Sequence, residues 1–322
     1  TIYMQIKLIL ILTLMVINCG CNRLPDSVGY ENTLTLVVSE EDQDLVLLYL
    51  EPLLSKPVYT PTIENLYNID IINADNFKNH ILRKNIIIAS LSNPSDSNVD
   101  LLANKIVKQY NNQNIFTLHD LYSKNQIIIT LSYHDDIEFG KDIANNKVWL
   151  LNEINQNIEK NILHKINNSI LETDIINNIS KNFSINLLVD ENYKVIKQKQ
   201  DFIWIGRGMP YRWIVINQVD KNLINSSDYI GIIRNELSSK LSDVNILEYK
   251  LDIFYEDDNT IVRGVYEHMI SDTGGPFFTY IFENLVNNKV IFISGFLNNP
   301  GKSKANLLLQ LETIIKNVEV KK

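Results

Sequence analysis

The sequence predicts an α+β protein of two domains, the second an antiparallel sheet with helices packed on it. Three observations carry that expectation. First, residues 249–300 read as four strands, 251–256, 261–270, 277–286 and 290–296, rich in Ile, Val, Phe, Tyr and Thr. The turns between them, Asp257-Asp258-Asn259, Ser271-Asp272-Thr273-Gly274-Gly275-Pro276 and Asn287-Asn288-Lys289, carry residues that tolerate the positive φ of tight hairpins. Gly274, Gly275 and Pro276 are therefore assigned to a structural turn. Second, 322 residues is long for one compact core. Third, residues 136–182 are polar with apolar positions at helical spacing (Val148, Leu151, Ile154, Ile158, Ile162, Ile166), which predicts one or two long amphipathic helices as a connector. The expected plan is a signal segment at 1–21, an α+β domain at 22–135, the connector, and the antiparallel domain at 183–322.

The individual elements follow in chain order. Residues 33–38 form a strand and 41–54 a helix carrying Leu45, Leu48 and Leu54. Strands at 67–72 and 85–91 come next, then a helix opened by Pro94-Ser95-Asp96-Ser97 and running to about residue 110, since Ser and Asp cap helix starts. Residues 126–132 are a further strand. The second domain begins with strands at 185–189, 193–197, 202–206 and 211–219. Ser227 then caps a helix with Ile230, Ile233, Leu237 and Leu241 on one face. After the four-stranded meander, a last helix at 303–318 sets Leu307, Leu311, Ile314 and Val318 against the sheet. This β-β-β-β-α-β-β-β-β-α order is similar in outline to the Mog1/PsbP-like sandwich.

Composition narrows the partners. With 30 Lys+Arg against 38 Asp+Glu, the net charge is -8, and no basic cluster interrupts that balance. Nucleic acid and anionic membrane surfaces are therefore poor partners. The two cysteines, Cys19 and Cys21, both lie near the start, leaving the body without a disulfide framework or a Cys-based metal site. They follow the apolar run 8–17 behind Lys7. About ten apolar residues are too few to span a bilayer, which takes about 20, but they match the core of a secretory signal. Gly20 before Cys21 makes Cys21 the expected lipidation site, with Cys19 the alternative. Met4 is the expected start. Acylation would tether the body to a bacterial envelope membrane, expected to be the outer membrane with the body facing the periplasm.

Several stretches carry a family resemblance: Leu24-Pro25-Asp26-Ser27-Val28-Gly29, Asn32-Thr33-Leu34, Asp201-Phe202-Ile203-Trp204-Ile205 with Arg207, Arg263-Gly264-Val265-Tyr266, and Gly274-Gly275-Pro276-Phe277-Phe278-Thr279-Tyr280 with Gly295-Phe296. Together they resemble DUF4837, a lipoprotein family of Bacteroidota without assigned activity. Asp190 stands where that family pattern has Pro. The resemblance implies location and fold, and brings no chemistry.

Catalytic signatures are sparse. Asp272-Thr273-Gly274 reproduces the aspartic-protease tripeptide, but that chemistry needs two facing carboxylates and the chain has one copy. His134-Asp135-Asp136 could offer metal ligands, yet a site takes about three or four converging groups, and helix capping by Asp135 or Asp136 explains the motif. No G-x-S-x-G elbow or phosphate loop is present. No catalytic residue, metal or cofactor is assigned. The remaining constellation is aromatic and basic: Trp204, Arg207, Tyr211, Arg212 and Trp213 around one hairpin, with Arg263 on the meander. Trp, Tyr and Arg are the residues enriched at binding hot spots, so these six are candidates for contact with another envelope protein. Trp204 and Tyr280 in the core, with Arg263 paired to Glu267 or Glu283, is the competing expectation. The function expected is a non-enzymatic binding or assembly module; a periplasmic hydrolase or a carrier of a small apolar ligand are the alternatives.

Overall fold

The computed structural model describes residues 24–91, 97–110, 113–224, 229–241, 243–256, 259–271, 273–284 and 288–321. The expected signal segment with Cys19 and Cys21, the caps Pro94 to Asp96 and Ser227, and Asp272 lie outside the described residues.

The first half is organised on a five-stranded sheet. Its strands are β1 (Thr33–Val37), β4 (Asn68–Ile72), β5 (Asn85–Ser90), β6 (Ile115–His119) and β7 (Ile127–Ser132). The order is β4-β1-β5-β7-β6, parallel throughout except for β6, which runs antiparallel to β7. A short ribbon of β2 (Pro57–Val58) and β3 (Glu64–Asn65) lies apart from it. Parallel strands need helical crossovers, and both faces are covered accordingly. On one face lie α1 (Glu40–Leu54), α4 (Asp136–Asn145) and α5 (Lys147–Asn167), with Val46, Leu50, Phe139, Leu150 and Ile154 against Leu36 and Ile87. On the other lie α2 (Phe77–His80) and α3 (Ser97–Tyr110), with Phe77, Ala103 and Ile106 against Ile86 and Ile88. The run Ile86-Ile87-Ile88 thus feeds both faces in turn.

The second half is built on an eight-stranded antiparallel sheet. Its members are β9 (Lys194–Lys199), β10 (Phe202–Arg207), β11 (Tyr211–Asp220), β12 (Val244–Ile246), β13 (Asp252–Glu256), β14 (Asn259–His268), β15 (Thr273–Asn284) and β16 (Lys289–Asn298). The order is β12-β14-β15-β16-β11-β10-β9, with β13 also paired to β14. Alternation along each strand divides two cores. Ile203, Ile205, Ile214, Ile216, Ile291 and Ile293 face α6 (Thr173–Phe183) and α8 (Ala305–Lys316). Val215, Val262, Phe277, Phe292 and Phe296 face α7 (Tyr229–Lys240). A two-stranded ribbon of β8 (Ile185–Asn186) and β17 (Glu319–Val320) closes the end of the α6/α8 layer. The chain is α+β, as expected.

Several expectations change in detail. The 136–182 stretch holds three helices, α4, α5 and α6, because Asn146 and the segment at 168–172 interrupt it. Within α5 the buried face runs through Leu150, Ile154, Ile158, Ile162 and Ile166, while Val148 is 71% exposed. Leu48 of α1 is likewise exposed, with Val46 and Leu50 inside. Strands β6 and β12 were not expected. Gly274, Gly275 and Pro276 are not turn residues but belong to β15, paired with Glu267, Tyr266 and Val265 of β14. Close approach explains Gly275: a Cβ there would lie 1.9 Å from the Leu297 carbonyl oxygen. Pro276 sits one residue beyond Phe277–Phe296, the last pair of the β15–β16 ladder.

Candidate functional site

The hairpin of β10 and β11 places its candidates on two opposite faces. Register sets Arg207 directly across from Arg212 and Gly206 across from Trp213. Trp204 and Trp213 point to the α7 side, their rings 5.4 Å apart at 76°, and Trp213 also lies 5.8 Å from Tyr266 and 6.2 Å from Phe296. Both indoles are half-buried against the α7-side core. Gly206 leaves room for the arrangement, since a Cβ there would come within 2.7 Å of the Trp213 ring. Tyr211 is exposed on this same face.

Arg263 is brought to neither group. Its guanidinium forms a two-pronged pair with Glu312 of α8, Nη1 to Oε2 at 3.0 Å and Nη2 to Oε1 at 2.5 Å, with Glu256 at 3.4 Å. Tyr280 donates its hydroxyl to the same Glu312 carboxylate at 2.9 Å. The expected partners Glu267 and Glu283 are not the ones used: Glu283 pairs with Lys221, and the terminal helix brings Glu312 to Arg263. Burial lowers the Arg263 pKa, and the Glu312 charge and hydrogen bonds outweigh it, holding the group cationic well above its ordinary value. Burial and Glu312 raise that of Tyr280. This cluster ties α8 to β14 and β15.

Arg207 and Arg212, on the other face, meet at a cavity of about 280 Å³ between the end of α5, the turn before β9, and α8. Two like charges directly opposite across a strand pair are unfavourable unless something neutralises them. Arg207 is neutralised: its Nη1 donates to Asp190 Oδ2 at 2.5 Å, and its Cζ lies 5.8 Å from the Tyr193 ring centroid. The turn presents that carboxylate rigidly, since Asp190 Oδ1 accepts from the Asn192 backbone N–H at 2.9 Å and Glu191 N–H donates to the Ile170 carbonyl at 2.9 Å. Asp190 is thus held on one side by its turn and on the other by Arg207.

Arg212 has no carboxylate partner among the described residues. Its Nη1 donates to Gln310 Oε1 at 3.1 Å, and its buried Nε is without a protein acceptor. Burial lowers its pKa and Arg207 adds to the depression, while Tyr193 and the Asp190 and Glu31 carboxylates act in the opposite direction without cancelling it. Gln310 turns its amide to Glu31 Oε2 at 2.9 Å, and Lys165 Nζ lies 3.8 Å from Glu31 Oε1. Burial raises the Glu31 pKa, but Gln310, the backbone, Lys165 and Asn306 together hold it below its ordinary value. A polar chain therefore runs from Glu31, ahead of β1, through Gln310 to Arg212 on the antiparallel sheet. Beside it, Ile162, Ile166, Ile170 and Ile314 supply an apolar wall. Such a site can hold an anionic group against a cation while burying an attached aliphatic body.

Of the remaining candidates, His134 and Asp136 are exposed, and Asp135 caps α4 by accepting from Glu138 N–H at 2.7 Å. Lys165, Gln310 and Glu31 gave no local signal, and Asp190 was not assigned to a site. They converge only because α5, α8 and the turn at 190–192 meet.

The class defined by this geometry is an α/β/α arrangement around an antiparallel sheet with a ligand-sized cavity at its seam. A family model described as Domain of unknown function (DUF4837) matches residues 172–317, which take in α6, the whole antiparallel sheet and α8. No curated protein matches the chain. Among solved structures, it is similar to the Saccharomyces cerevisiae Ran-binding protein Mog1p at 8% identity, over 42% of this chain and 90% of that one, with a TM-score of 0.31. Similarity to cyanobacterial PsbP from Synechocystis is at 10% identity, over 42% and 86%, with a TM-score of 0.31. A Bacteroides thetaiotaomicron protein matches at 12% identity, over 43% and 46%, with a TM-score of 0.21.

Proposed function

We propose that the chain is a non-enzymatic binding module of the bacterial cell envelope, tethered by lipid on Cys21 and serving another envelope component. The observation that carries the binding role is the Arg207–Arg212 pair opening on the seam cavity, with Arg212 making no direct ion pair to a carboxylate among the described residues. A guanidinium that donates to the neutral Gln310, with Asp190 and Glu31 acting on it only at longer range, is suited to receiving a carboxylate from a ligand. The aromatic half of the hairpin lends less support, since Trp204 and Trp213 spend much of their surface on the core. A hydrolase reading has no comparable geometry in its favour: His134 is exposed and Asp135 is engaged as a helix cap. The anchor rests on the apolar run at 8–17 followed by Gly20-Cys21.

Two measurements test the proposal. Metabolic labelling with a palmitate analogue should mark the wild type and not Cys21→Ser, which should leave the membrane fraction; equal labelling would remove the anchor. Affinity purification from gently solubilised envelopes should recover one component near equal stoichiometry, diminished in Arg207→Ala/Arg212→Ala. Recovery unchanged in a folded double variant would remove the cavity as the site.

A further inference from the structure

We infer that the seam cavity recognises a monoanionic carboxylate borne on a short aliphatic body. This deepens the binding proposal and rests on the cavity being its site. Charge, shape and volume each constrain the ligand. Arg207 pairs with Asp190 and Lys165 with Glu31, whereas Arg212, on a lining that also holds Glu191, has the neutral Gln310 as its side-chain hydrogen-bond acceptor among the described residues. A monoanion is the most that suits a lining that already carries the Asp190 and Glu191 carboxylates, which would repel a phosphate dianion more strongly in a partly desolvated place. Guanidinium is planar and donates in a fork that matches a carboxylate. Gln310, held by Glu31, fixes the Arg212 head through Nη1; Nε is buried, so a ligand would meet the guanidinium on its Nη side. The four isoleucines at 162, 166, 170 and 314 provide the surface for an aliphatic body. A cavity of about 150 Å³ accommodates benzene, so 280 Å³ is room for about ten non-hydrogen atoms. A free aliphatic acid and the C-terminal residue of a partner chain both present this chemistry.

The test uses the full chain, with NMR of Ile methyl groups and calorimetric titration. Octanoate is compared with octan-1-ol and octylamine, and N-acetyl-leucine with its amide. Octanoate or N-acetyl-leucine should shift the methyls of Ile162, Ile166, Ile170 and Ile314, and bind about tenfold or more tightly than the uncharged or cationic counterpart. Arg212→Ala should erase that preference, and Arg212→Lys should restore part of it. Tighter binding of N-acetyl-leucine than octanoate would support the carboxylate and identify a chain end as its source; the reverse would support it and identify a free acid. Octan-1-ol binding as well as octanoate would overturn the carboxylate inference and leave a binding cavity standing. Isoleucine methyls unmoved by every probe would overturn both. The methyl shifts are read on the wild type, so the test survives an Arg212 variant that fails to fold.

Discussion

Glu312→Gln should destabilise the antiparallel half far more than a surface charge change does. Arg263 and Glu312 have side chains only 13% and 18% exposed, so removing one charge leaves the other in a poorly solvated place. Breaking a buried pair from one side costs about 3–5 kcal/mol. Glu256 stays 3.4 Å from Arg263 but is 41% exposed, so its compensation is weak and the lower end, about 3 kcal/mol, is expected. The Tyr280 hydroxyl also exchanges a charged acceptor for a neutral one. With an m-value of about 2–3 kcal/mol/M, the urea midpoint should fall by about 1–1.5 M, followed by the emission of Trp204 and Trp213 in the same sheet. Arg263→Met alone should cost a similar amount. The double variant Arg263→Met/Glu312→Leu should recover most of the loss, since an apolar replacement of a buried pair is often neutral. Single variants within about 0.5 kcal/mol of wild type, or a double variant whose loss equals the sum of those of Arg263→Met and Glu312→Leu measured singly, would refute the coupling.

Other expectations concern the seam and the glycine contact. Gly275→Ala forces a Cβ onto the Leu297 carbonyl oxygen, and soluble yield and midpoint should both drop sharply; a stability near wild type would mean β15 shifts freely. Asp190→Asn leaves Arg207 and Arg212 facing each other without a counter-charge. It should cost about 1.5–3 kcal/mol, and the loss should shrink in Arg207→Leu/Asp190→Asn; equal losses would count against charge as the cause. The Glu31 carboxyl has a folded pKa below its ordinary 4.5, so the stability it contributes is fully present above that pH and is lost as pH falls through the lower folded value. In a thermal series across about pH 3–7, Glu31→Gln should lose less stability than wild type on the acid side; parallel curves would refute the assignment.

Where a signal is local and periodic, the sequence announced it. Tight turns bounding runs of Ile, Val, Phe and Tyr located the meander strands to within a few residues. Errors arose where tertiary contact overrides composition. Gly274-Gly275-Pro276 has the chemistry of a turn, but a neighbouring carbonyl needs the space and so the strand begins earlier. Three helices looked like one or two because Asn-rich text conceals the breaks at 146 and 168. Half of the site was visible in Arg207 and Arg212. Alternation of β11 was enough to separate Arg212 from Tyr211 and Trp213, and so to divide the aromatic residues from the basic ones. Glu31, Lys165 and Gln310 were not legible, since nothing in their local sequence encodes that distant elements converge on Arg212.

The most direct test of the central claim is native mass spectrometry of the protein released gently from its own envelope, comparing wild type with Arg212→Ala. The account predicts a wild-type species carrying one bound component that the folded variant lacks. Wild type and variant with the same mass, apart from the substitution itself, would contradict a binding role for the seam cavity.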